Sequence, residues 1–132
     1  MIFEFNWNWF EDYCPNLFEH PDKTAEEFEV DCKKALRECF DEYMKDQDAW
    51  VGVNDWVEFA CGTLKSYGYI PVVTVSYGLF GGYIVDKHSK DSKLLRDFPE
   101  EIQKMVKHNE AYRKIHDVKY CVEYNDAKYS TE

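Results

Sequence analysis

From Thr24 to Lys45 the apolar residues Phe28, Cys32, Ala35, Leu36, Cys39, Phe40 and Tyr43 recur at intervals of three and four. That spacing follows the 3.6-residue helical turn, so the segment is expected to form a helix with one continuous apolar stripe that other elements must cover. Thr24 stands three residues ahead of Glu27, where hydroxyl and carboxylate can each satisfy an orphan amide of the first turn. Glu27, Asp31, Glu38 and Asp41 fall on another side of the same helix and are expected to face water or a partner.

The remaining elements read less sharply. Phe3, Phe5, Trp7 and Trp9 alternate with polar residues, the period-two pattern of a strand over residues 2–9 with one apolar face. Residues 11–23, with Pro15, Asn16 and Pro21, read as a loop. A second helix is expected from Asn54 or Asp55, with Asp55 and Glu58 as a capping box, Gly68 as its stop, and Trp56, Phe59, Ala60, Thr63, Leu64 and Tyr67 as its apolar side. Residues 69–77 and 83–86 read as two strands joined by the glycines of 78–82. A helical turn is expected at Leu94 and Leu95. A third helix, capped by Asp97 with Pro99 in its first turn, would bury Ile102, Met105, Val106 and Tyr112. Val118, Tyr120, Val122 and Tyr124 alternate as a last strand. The order β-α-α-β-β-α-β predicts a single α+β domain, residues 1–132, with a mixed or antiparallel sheet of about four strands against about three helices.

Composition sets the class. A chain of 132 residues with 45% hydrophobic and 17% aromatic content can bury a core without metal or disulfide staples. Five cysteines, Cys14, Cys32, Cys39, Cys61 and Cys121, are an odd number without CxxC pairs, which points to reduced thiols and a cytoplasmic setting. No signal peptide and no membrane span are expected, because the weakly polar run over 67–85 is broken by Pro71 and several glycines.

Motifs for catalysis are absent from the pattern. His108 and His116 are eight apart and no cysteine pairs closely with another ligand type, so no metal site and no cofactor are expected. Cys61 with His108 or His116, oriented by Asp117, could assemble a thiol nucleophile, but a cysteine inside a helix lacks the setting that lowers its pKa. GLFGG at 78–82 leads into Tyr83, Ile84 and Val85, a hairpin and not the strand-to-helix turn of a phosphate cradle. The chain reads as non-enzymatic.

Charge supplies the functional lead. Residues 1–60 hold 16 of the 26 Asp and Glu against five Lys and Arg, a net of −11, whereas residues 61–132 carry ten acids and eleven bases. A dense acidic field draws in basic surfaces and repels polyanions, so the expected partner is a basic nucleic-acid-binding protein and not nucleic acid itself. The acids concentrate at Glu26, Glu27, Glu29, Asp31, Glu38, Asp41, Glu42, Asp46 and Asp48, directly before Trp50 and Trp56. Of these, Glu26, Glu27, Asp31, Glu38, Asp41, Glu42, Asp46, Asp48, Trp50 and Trp56 form the expected partner-binding set. Helix positions four apart rise about 6 Å, close to the roughly 6 to 7 Å between phosphates of one strand. Small acidic inhibitors of this kind occur among phage anti-defence proteins such as anti-CRISPRs and among immunity proteins that neutralise nuclease toxins; the resemblance is one of composition, without a shared motif. The competing expectations are a small ligand-binding domain or enzyme with a pocket lined by Trp7, Tyr77, Tyr83 and Tyr120, and a structural subunit of an assembly.

Overall fold

The computed structural model describes residues 2–7, 16–45, 49–72, 83 and 92–116. Within them the chain is α+β, with three antiparallel strands and four helices in the order β1 (Ile2–Phe5), β2 (Asn16–Glu19), α1 (Ala25–Lys45), α2 (Val53–Ser66), β3 (Ile70–Val72), α3 (Lys93–Asp97) and α4 (Pro99–His116). The expected order differs in one respect that matters: β2 lies inside the segment read as a loop, and it is the central strand of the sheet β1-β2-β3. Four residues between two prolines are too few to show a period. Phe3 pairs opposite Phe18, and Phe18 opposite Pro71. Pro71 lacks an amide to donate, and β3 borders the described sheet on one side, where a missing ladder bond is tolerated.

Strand β1 is buried on both faces from Phe3 to Phe5, which corrects the half-polar strand expected at 2–9, while Glu19, Ile70 and Pro71 of the neighbouring strands are exposed. Phe3 and Phe5 are buried, but so is Glu4 between them, together with its cross-strand neighbour Leu17. On the first face Phe3 stacks on Phe28 of α1 with ring centres 4.8 Å apart, and Tyr69 meets both rings edge-on. Tyr83 is fully buried against Phe5, and the ammonium groups of Lys33 and Lys93 lie 5.9 and 5.1 Å from its ring centre. Lys33 also pairs with Asp97 at 3.0 Å, and Lys93 with Glu29 at 2.9 Å. These pairs tie α3 to α1.

Helix α1 buries the stripe expected of it, from Phe28 through Tyr43, and no other residue of that helix is buried. Thr24 and Glu27 make the reciprocal cap, with Thr24 donating its amide to Glu27 Oε1 at 3.0 Å and accepting the Glu27 amide at 3.2 Å. Helix α2 starts at Val53 after Gly52, which offers no side-chain cap, so the expected Asp55 and Glu58 box does not form. Its end follows the expectation. Gly68 adopts a φ of +93°, and the amides of Gly68 and Tyr69 bond to the carbonyls of Lys65 and Leu64, the paired closure that a left-handed residue permits.

The buried side of α2 is Trp56, Val57, Ala60 and Leu64, turned by about 45° from the expected stripe at 100° per residue. Trp56 sets this rotation by donating its indole N–H to the Leu36 carbonyl at 3.1 Å while its ring lies edge-on to Phe40 and Phe98. Phe59 is left 43% exposed. The turn at Leu94 is helical, with Ser92 as its cap. Asp97 belongs to that helix and not to the cap of α4, whose first bond runs from the Ile102 amide to the Phe98 carbonyl. Of the expected α4 stripe, Met105 is buried, Ile102 and Tyr112 are half-buried, and Val106 is exposed. The expected strand at 69–77 is described only as β3 to Val72; its remainder, the turn at 78–82, residues 84–86 and the strand at 118–124 lie outside the described residues.

Candidate acidic interface

Burial of the apolar side of α1 leaves Glu26, Glu27, Glu38, Asp41 and Glu42 exposed on its outer face. Among the described residues no ion pair engages Glu26, Glu38, Asp41 or Glu42. Three of the helix's four cations make contacts elsewhere, and the fourth, Lys45, is exposed at its end. Lys33 pairs with Asp97, Lys34 sits 4.9 Å from the Tyr67 ring centre, and the Arg37 guanidinium lies 4.7 Å from that of Phe98. With Lys34 and Arg37 held against rings, Glu38 and Asp41, four residues beyond them, have no ion-pair partner among the described residues. The Glu27 carboxyl is held below its ordinary value by its hydrogen bonds to the Thr24 backbone and side chain, so it carries its charge into mildly acidic solution.

Asp31 departs from the expected exposed line. It accepts a hydrogen bond from the Tyr69 hydroxyl at 2.5 Å and pairs with Lys23 at 3.5 Å, which leaves its side chain 17% exposed. Burial pushes the Tyr69 hydroxyl up, and the Asp31 carboxylate adds to the shift. Asp31 therefore binds α1 to the residue just before β3. Lys23, Glu26, Glu27, Val30 and Asp31 line a shallow groove at the start of α1. Glu29 is half-buried in its pair with Lys93.

The two tryptophans separate completely. Trp56 is fully buried and part of the core, which removes it from any surface. Its place in the sequence, beside the acids, carried no sign of this; its i+4 relation to Ala60 did. Trp50 is 52% exposed, edge-on to Tyr112 with ring centres 6.4 Å apart and with Arg113 5.6 Å from its own. Asp46 and Asp48 lie outside the described residues.

The alternative sites fare differently. Trp7 and Tyr83 are buried, and Tyr77 and Tyr120 lie outside the described residues. Burial, with Glu58 adding to it, pushes the Cys61 thiol up to about 12, the reverse of an activated nucleophile. Cys39 rises to about 11 from burial, and Cys32 rises as well. His108 is committed to the Ala49 carbonyl at 2.9 Å. Among the described residues no group of three His, Cys, Asp or Glu is placed to hold a metal ion, and no helix is long and apolar enough to cross a membrane. Compared with protein-family models, with curated proteins and with solved structures, the chain matches none.

Proposed function

We propose that this chain is a non-enzymatic inhibitor that presents the outer face of α1 to the cationic surface of a nucleic-acid-binding protein. The observation that carries this reading is the exposure of Glu26, Glu38, Asp41 and Glu42 without an ion pair among the described residues, on a helix where Lys33, Lys34 and Arg37 are turned toward rings and Asp97, and where Lys45 is exposed at the end. Glu38 and Glu42 are one turn apart, about 6 Å of rise, so they can meet neighbouring Lys or Arg groups that otherwise hold successive phosphates. A net charge of −10 over the chain speeds encounter with such a surface and keeps nucleic acid away. A phage anti-defence protein of the anti-CRISPR kind and an immunity protein against a nuclease toxin both work in this way.

The test is to reverse Glu26, Glu38, Asp41 and Glu42 to Lys together and compare capture from a bacterial lysate with that of the wild type. The wild type should retain a basic nucleic-acid-binding protein that about 0.5 M salt or added DNA releases, and the variant should not. Capture of the same proteins by both, with circular dichroism unchanged, would overturn the reading.

A further inference from the structure

Between α1 and α2 the chain passes through Ala49, Trp50, Val51 and Gly52 without regular structure, and three side chains hold its backbone. His108 Nε2 lies 2.9 Å from the Ala49 carbonyl. Asn109 accepts the Val51 amide at 2.9 Å and donates to the Val51 carbonyl at 2.8 Å. The Tyr43 hydroxyl accepts the Gly52 amide and donates to the Gly52 carbonyl, both at 3.1 Å. Val51 itself is buried. The result is an irregular segment clamped from α1 on one side and α4 on the other, with a half-exposed indole displayed from it.

Such a display fits an anchor. The ordering entropy of the segment is already spent within the free protein, so little more is lost when a partner settles on it. Trp, Tyr and Arg are the residues that dominate binding hot spots, and Trp50, Tyr112 and Arg113 meet here in one contact group. Two observations select the occupant. The exposed Arg113 already lies over the indole, which shows that the ring accepts a guanidinium in this setting. The flanking sequence, residues 41–58, carries Asp41, Glu42, Asp46, Asp48, Asp55 and Glu58 against Lys45 alone.

We propose that Trp50 is the anchor of the partner interface and receives an arginine or lysine side chain of the basic partner, in the place that Arg113 holds in the free protein. The proposal rests on the reading above that the partner is basic. It divides the labour between two regions: the carboxylates of α1 govern the rate of encounter, and Trp50 governs how long the complex lasts. Tryptophan is the ring that holds cations best, and an exposed contact of this kind is worth about a two- to fivefold change in affinity.

The experiment measures anisotropy of a fluorescein-labelled nona-arginine peptide with the full chain, its Trp50→Leu, Trp50→Phe and Arg113→Gln variants, and the four-acid reversal. Trp50→Leu should weaken binding about two- to fivefold, with Trp50→Phe between it and the wild type. Arg113→Gln should bind as tightly as the wild type or more tightly, because it vacates the ring. If Trp50→Leu binds like the wild type while the acid reversal abolishes binding, the anchor proposal fails and the acidic-face reading stands. If Arg113→Gln weakens binding, the cation is held elsewhere and the proposal fails. A wild type that does not bind the peptide even at low salt overturns both. Circular dichroism guards the Trp50 variants, and the Arg113→Gln result tests the proposal without altering the ring.

Discussion

Helices α1 and α4 are of similar length but are held by different forces. α1 spans 21 residues and buries seven of them, whereas among the described side chains of the 18-residue α4 only Met105 is buried. What α4 lacks in apolar area it supplies in contacts to one segment, through hydrogen bonds from His108 and Asn109 and ring contacts from Tyr112 and Arg113. Non-directional burial tolerates small displacements, while hydrogen bonds to a backbone do not. A helix of the first kind makes a core, and one of the second kind positions a neighbour. Here the neighbour is the Trp50 segment.

The largest effect that sharpens this contrast is at Leu36, fully buried at the centre of the α1 stripe. Leu36→Ala is expected to cost about 2 to 5 kcal/mol in denaturant melts. Glu38→Gln, on the exposed face of the same helix, should change stability by less than about 0.5 kcal/mol. Equal costs would mean that burial does not distinguish the two faces of α1.

Asn109→Ala comes next. It removes two hydrogen bonds and leaves the half-buried amide and carbonyl partners of Val51 without them, a loss of about 1 to 3 kcal/mol. Hydrogen exchange should show faster exchange at Val51 and along α4 with α1 still protected. Uniform acceleration through both helices would break the comparison, because α4 would then share in the main cooperative unit.

The smallest effect is at the cap. Thr24→Ala is expected to cost about 0.5 to 2 kcal/mol near neutral pH. Glu27 has its carboxyl lowered from the ordinary 4.5 by Thr24, so its share of this stability is fully present above 4.5 and is lost as pH falls through the lowered folded value. The gap between wild type and variant should therefore narrow in acid, as urea melts from pH 6 down to about 3 can show. A gap that widens in acid would contradict the reciprocal cap.

The sequence by itself determined α1 almost entirely: its start at the Thr24 and Glu27 box, its end near Lys45, its buried stripe, and the stop of α2 at Gly68. These features are local, since a helical period and a cap are settled by residues three or four apart. The α+β class followed for the same reason. Tertiary structure decided the rest. β2 pairs on both sides with strands distant in sequence, so four residues without a readable period became the centre of the sheet. Trp56 turned inward because Leu36 offers its indole a carbonyl, and Asp31 left the exposed line because Tyr69 reaches it across 38 positions of chain. Trp50 stayed at the surface because its neighbours are clamped by α4, 58 positions away at Asn109. The acidic character of the candidate interface was legible as composition, but which acids stand free on it depends on where the surrounding cations find partners, and that is a property of the packed chain alone.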